Sequence, residues 1–153
     1  IAHCMTRVHK AGLQNCHFAA ASSFALPFPD ASADAVISTF APVSNDEYAR
    51  VLKNGGKLIV VSPSARHLFE LKEVLYDVPY ENKPNHYGLH SFTLTDTLTY
   101  EYPAELTSNA DILNLFSMTP YCYKTSKEST DQLAALQSLT VTCGFVIQTF
   151  TKK

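Results

Sequence analysis

The chain has no C-x-x-C pair, no long apolar run and no strong charge of either sign, and each absence removes a class of function. Its four cysteines, Cys4, Cys16, Cys122 and Cys143, stand far apart, so a zinc site within these residues is not expected and free thiols are. That pattern fits a reducing, cytoplasmic compartment. No apolar stretch approaches the roughly 20 residues of a membrane span, which points away from a membrane partner. The formal net charge is −2, whereas a domain that grips nucleic acid unaided is usually basic. No basic segment with an apolar core opens the chain, so no signal peptide is expected. The first residue is Ile1, which suggests a piece of a longer protein. No internal repeat or low-complexity tract appears.

What remains is globular. Hydrophobic residues make up 46% and charged residues 17% of 153, enough for one domain with its own core. Ile1, Met5 and Val8 fall at helical spacing before Gly12 and predict a helix end. A short strand is expected at 16–21 and apolar strands at 35–40 and 57–62. Between the last two lies a helix over 46–53, with Ser44 or Asn45 as N-cap and Asn54-Gly55-Gly56 as its stop. Continuous apolar strands alternating with helices predict a parallel sheet covered on both faces. After Pro63 a helix is expected over 65–76, with Leu68, Leu71, Val74 and Leu75 on one face.

The second half reads differently. Residues 92–102, FTLTDTLTYEY, alternate and predict a strand with one buried and one wet face, paired antiparallel with a last strand at 141–150. Residues 108–118 read as a helix. Ser129-Thr-Asp-Gln132 reads as a capping box before another. Residues 77–91 form one long loop, a length often tied to function.

Two segments carry a resemblance. LPFPDASADAV at 26–36 and EYARVLKNGGKLIVVSP at 47–63 resemble the second half of class I S-adenosylmethionine-dependent methyltransferases. ASSFALPF at 21–28, SPSARHLFELKEVLYD at 62–77 and LFSMTPYCYK at 115–124 narrow it to the 23S ribosomal RNA (guanine-N1)-methyltransferases. The resemblance covers essentially all 153 residues. It implies an α/β, partial Rossmann-like sheet, mostly parallel with an antiparallel C-terminal strand pair. It also implies that residues 1–153 form the C-terminal part of a catalytic domain. The zinc domain, the Gly-rich D-x-G-C-G-E-G cofactor loop and the first two strands of the family pattern are not among these residues. Asn54 stands where the family has proline.

By that resemblance the cofactor is S-adenosyl-L-methionine, with zinc expected only in the preceding domain. The substrate of the parent enzyme is a 23S rRNA hairpin, and a second copy of the chain is a further partner, through an unpaired strand edge. The fragment alone is expected to be inactive. Four residues at the carboxyl ends of strands, where ligands of open α/β sheets bind, become cofactor candidates. Ser22 and Ser23 follow the first strand, at the place that meets the adenine; the plainer reading of Ser22 is a loop cap. Phe40 follows the second, where the segment passes under the transferred methyl; it also reads as core. His67 follows the third and matches a family histidine at the cofactor, though a histidine at a helix start is also an ordinary surface residue. No general base stands out among Asp46, Glu47, Glu70, His86 and His90. Tyr76, Tyr80, Tyr87, Tyr121 and Tyr123 read as base-stacking or as packing residues. Two other readings stay open: a small-molecule methyltransferase of the same fold, and a non-catalytic scaffold or dimerisation domain.

Overall fold

A computed structural model describes all 153 residues. Helix α1 spans Ala2–Lys10, strand β1 Ala33–Thr39, helix α2 Asn45–Val51 and strand β2 Leu52–Pro63. Helix α3 spans Phe69–Leu75 and strand β3 Phe92–Leu106. Helix α4 spans Asn109–Ser117, a 3-10 turn Pro120–Tyr123, helix α5 Lys127–Ala135 and strand β4 Leu139–Lys152. The four strands form one sheet in the order β1-β2-β4-β3. The β1–β2 pair is parallel, from Ala35 opposite Lys57 to Thr39 opposite Val61. The last strand in sequence, β4, inserts between β2 and β3 and runs antiparallel to both.

The LPF motif and the helix after β1 are one unit. Ser44 caps α2, its Oγ accepting from Glu47 N–H at 3.4 Å. Arg50, near the end of α2, reaches back to the loop. Its guanidinium donates to the carbonyls of Leu26 (3.1 Å) and Phe28 (2.8 Å) and to the carboxylate of Asp30 (2.7 Å). Glu47 holds Arg50 from the other side, at 3.0 and 2.7 Å, and accepts Leu26 N–H at 2.6 Å. These bonds give the Pro-rich loop the partners that its irregular backbone cannot supply for itself. They also hold the Glu47 carboxyl down at about 2, chiefly through the Arg50 hydrogen bond and then the Leu26 N–H.

Four local expectations change. Residues 16–21 form no strand. The segment is short and ends in three alanines, so it has little to bury, and no ladder partner takes up its backbone groups. The Asn54-Gly55-Gly56 stop lies inside β2 as an irregular bulge of three extra residues, because the register jumps from Ala33–Leu52 to Ala35–Lys57. Gly55 takes the left-handed conformation there, with φ at 75°, as the bulge requires. The 65–76 helix begins only at Phe69, behind a turn in which Leu68 is left-handed at φ 54°. The last helix is capped by Ser126 rather than Ser129, whose N–H donates to Ser126 Oγ at 3.2 Å; Ser129 is already in the first turn.

Two apolar clusters sit on the sheet. In one, Tyr48 of α2 and Leu89 of the long loop cover Leu58, Val60 and Phe150. In the other, α3, α4 and α5 bring Leu71, Leu75, Ile112, Phe116 and Leu133 against Val141. Side chains alternate along a strand, so Val141 shares its face with Phe145 and Ile147, and through the pairings with Leu98, Tyr100 and Ile37. The helices of this chain reach only the Leu139–Cys143 end of that face. The expected buried face of β3 is therefore open, with Leu98, Tyr100 and Tyr102 each more than two-fifths exposed.

Because the native state holds the Glu47 carboxyl below its ordinary value, the unfolded chain binds the proton first. The Glu47–Arg50 contribution is present above pH 4.5 and is lost as pH falls toward 2. Glu47→Gln is expected to lower the urea midpoint at pH 7 and to shrink the further loss on acidification. An unchanged midpoint at pH 7 would remove the clamp as a stabilising element.

Candidate functional site

The parallel strands β1 and β2 end side by side, and the chain leaves both ends in strained turns. Phe40, just after β1, has φ at 49°, a conformation rare for a bulky residue. Its N–H donates to Val61 O at 3.0 Å, which holds it against the end of β2. After β2 the turn Ser64–Leu68 brings His67 over β4. His67 Nδ1 accepts the N–H of Gly144 at 3.2 Å. The imidazole stands 5.4 Å from the Phe40 ring and 5.5 Å from Phe145, and those two rings are 6.0 Å apart. These are ordinary spacings for interacting aromatic rings. Burial pushes His67 below its usual pKa, and the nearby Lys72 ammonium pushes the same way. With the Nδ1 lone pair taken by a backbone donor, the neutral ring presents its N–H at Nε2.

Phe40 and His67, two of the expected site residues, thus come together at the carboxyl ends of adjacent strands. Ser22 and Ser23 lie in a separate turn, closed by Ala25 N–H on Ser22 O at 3.0 Å. Ser22 Oγ accepts Phe24 N–H at 3.2 Å, the loop-cap role.

Gly144 is the meeting point of the turn and the sheet. Its carbonyl accepts Ser64 N–H at 3.0 Å. Ser64 Oγ donates to Glu101 Oε1 at 2.5 Å. A Cβ at position 144 would run into Ser64 Oγ and come within 3.0 Å of Glu101 Oε1. The turn is held from behind by Lys72, which is fully buried. Its ammonium donates to Tyr80 O (2.9 Å) and Asn82 Oδ1 (2.8 Å) and lies 4.4 Å from the centre of the Tyr80 ring. Asn82 in turn donates from Nδ2 to Ser64 O (2.9 Å) and His67 O (3.3 Å), and from its backbone to Ala65 O (2.8 Å). The long loop is thereby fastened to the turn that carries His67.

Two of the carboxylates weighed as bases are committed elsewhere. Glu47 holds Arg50, and Glu70 accepts the N–H and hydroxyl of Thr142 at 2.7 and 2.8 Å. Asp46 lies exposed beside His90. Tyr76, Tyr80 and Tyr121 pack around or beside the Lys72 ammonium rather than standing free. Glu101, Lys72, Asn82 and Gly144 are the residues the sequence reading missed. One signal was available: Glu101 interrupts the row of threonines on its face of β3.

Gly144→Ala is expected to cost about 1–3 kcal/mol, the usual range for an overpacked site, read as a lower urea midpoint; an unchanged midpoint would show that Ser64 moves aside freely. The His67 contribution has the opposite dependence to that of a salt-bridged histidine. Its folded pKa is depressed, so the stabilisation is present above the unfolded value near 6.5 and is lost as pH falls through the folded pKa. Stability should rise with pH across that window, and His67→Gln should flatten the rise. Equal slopes for the two proteins would sink the assignment.

Comparison with known proteins places this geometry. A methyltransferase domain model matches residues 1–60. A Bacillus subtilis protein provisionally named 23S rRNA (guanine-N(1)-)-methyltransferase YxjB is 33% identical over 121 residues, 76% of this chain and 43% of that protein. A Micromonospora griseorubida protein with the same kind of provisional name is 32% identical over 125 residues, 78% of this chain and 42% of that protein. The chain thus spans about two-fifths of the length of these relatives. The crystal structure of YcgJ from Bacillus subtilis superposes with a TM-score of 0.58 at 17% identity, covering 97% of this chain and 76% of that one. A methyltransferase-like protein of Bacillus halodurans gives 0.56 at 16% identity, covering 96% and 76%. With the LPF and RVLK-x-GG motifs in place and β1 and β2 parallel, the chain has the fold of the class I methyltransferases, and the sequence relatives it matches bear the name 23S rRNA (guanine-N1)-methyltransferase.

Proposed function

We propose that the protein of which this chain is part transfers a methyl group from S-adenosylmethionine to N1 of a guanine in 23S rRNA, and that Phe40 and His67 lie beside the bound cofactor. The observation that carries this reading is the Phe40–His67–Phe145 cluster at the carboxyl ends of β1 and β2, in a chain whose relatives bear that name. The bound cofactor supplies an electrophilic methyl on a sulfonium. The residues here fit its neighbourhood in one respect: a neutral imidazole can donate from Nε2 to a carboxylate or ribose oxygen without repelling the sulfonium. Phe40 and Phe145 offer flat apolar surface beside it, which excludes water and aligns donor with acceptor. Exposed Tyr123 is available for stacking on an RNA base.

The 153 residues alone are expected to bind the cofactor weakly and to methylate nothing, because the glycine-rich loop and ribose-binding acid of the family pattern are not among them. Incubating the full-length protein with a labelled methyl donor and a 23S rRNA hairpin, followed by nucleoside mass spectrometry, should yield 1-methylguanosine. Methylation of a small molecule in place of RNA, or no transfer at all, would favour the other two readings. In the same protein His67→Ala should weaken cofactor binding by about ten- to a hundredfold, the worth of one hydrogen bond to a charged group. Hairpin affinity should hold. The reverse pattern would put His67 on the substrate side.

A further inference from the structure

We infer that Asn82, in the long loop, is the positioning residue of His67: its side-chain amide fixes the turn that carries the imidazole and so sets how that ring meets Phe40 and Phe145. What this does to cofactor binding rests on the reading above, in which His67 lies beside the cofactor.

The turn Ser64–Leu68 crosses the end of β2 from one face of the sheet to the other. Ser64 Oγ reaches Glu101 on the first face. His67 packs on Phe145, whose side chain points to the opposite face, because its neighbour Gly144 is the residue paired with Glu101. The backbone of such a turn is irregular, and its carbonyls need partners from outside. Asn82 supplies them. Its Nδ2 donates to Ser64 O at 2.9 Å and to His67 O at 3.3 Å, and its backbone N–H donates to Ala65 O at 2.8 Å. One loop residue thus holds three carbonyls of the turn, at both ends of the crossing.

Lys72 decides which way the amide faces. Its side chain is buried, and its Nζ donates to Asn82 Oδ1 at 2.8 Å. An ammonium donates and cannot accept, and a carbonyl accepts and cannot donate. The amide oxygen must therefore face Lys72 and the amide nitrogen must face the turn. A second donation from Nζ, to Tyr80 O at 2.9 Å, and the Tyr80 ring 4.4 Å away hold the ammonium in place. At the other end of the line, the turn sets the imidazole Nδ1 against Gly144 N–H. Asn82 bonds to the backbone of His67 and not to its ring, so its effect on the ring passes through the turn. Aspartate has the shape of asparagine but no side-chain donor. At position 82 it would keep the partner of Lys72, with charge attraction added, and set a carboxylate oxygen against two carbonyls.

The test compares Asn82→Asp with the unmodified 153-residue chain by NMR. In the unmodified chain the His67 ring should show NOEs to the Phe40 and Phe145 rings, and the Gly144 amide should be protected from hydrogen exchange. Asn82→Asp should lose those NOEs and exchange Gly144 N–H about tenfold faster, the worth of one hydrogen bond, although the loop keeps its pairing with Lys72. A residue that only fastened the loop would leave both signals as they were, so unchanged signals in folded Asn82→Asp overturn the inference. The unmodified chain decides the matter even if the variant folds badly. Its Asn82 and Gly144 amides should exchange through one opening with equal protection; an opening that frees Asn82 N–H and leaves Gly144 protected overturns the inference equally. In the full-length protein, Asn82→Asp should weaken S-adenosylmethionine by about ten- to a hundredfold, the range expected for His67→Ala. In a protein already carrying His67→Ala it should add nothing; an additive loss would overturn the action through His67. Loss of the NOEs together with a cofactor affinity that His67→Ala leaves unchanged would instead refute the cofactor reading of His67, which the NMR comparison does not measure.

Discussion

At Gly144 three elements come closer than a side chain would permit. The turn after β2 lies against one side of this residue through Ser64 and His67, and Glu101 of β3 approaches from the neighbouring strand. Every polar group in the contact is paired: the Gly144 N–H with His67, its carbonyl with Ser64 N–H, and Ser64 Oγ with Glu101. A buried polar group without a partner is expensive, so these bonds fix one another's geometry. The close approach of Ser64 and Glu101, and with it the attachment of the turn to the sheet, depends on that one position being glycine.

The parts of the fold that could be read from sequence are those set by short-range rules. The apolar runs Ala35–Ile37 and Leu58–Val61, separated by a capped helix, specify a parallel pair whichever residues surround them, and β1 and β2 pair as expected. Ser44 sits before its helix as the N-cap, one of the two candidates read there. The LPF loop was visible as a motif; its purpose became visible only with Arg50 bonded to Leu26 O and Phe28 O.

What failed to show in sequence depends on partners far along the chain. Residues 16–21 have no neighbouring strand to pair with, and only Cys16 and Phe18 to bury. The alternation of β3 marks two faces correctly, yet alternation cannot say whether a helix lies over either one. Phe40 and His67 could each be placed near a strand end because each lies shortly after an apolar run; that their rings meet could not be read from sequence. Glu101 was not, since its importance comes from Ser64 and Gly144, 37 and 43 positions away in sequence. Lys72 reads as an exposed helical lysine until Tyr80 and Asn82 close over it.

The two halves of the site differ in how far apart their partners lie along the chain. The attachment of the long loop is local: Lys72 meets Tyr80 and Asn82 across 8 and 10 residues, and Asn82 meets Ser64 across 18. The contact that orients His67 spans 77 residues and belongs to the last strand, which must insert between two strands already made. Closing a longer loop costs more chain entropy, and non-local pairing is the slow part of folding. The turn and its loop can therefore assemble early, as a preformed but incomplete platform. The imidazole acquires its fixed tautomer, and the carboxylate its place, only when the C-terminal strand docks, so chemical competence arrives with the final step of folding.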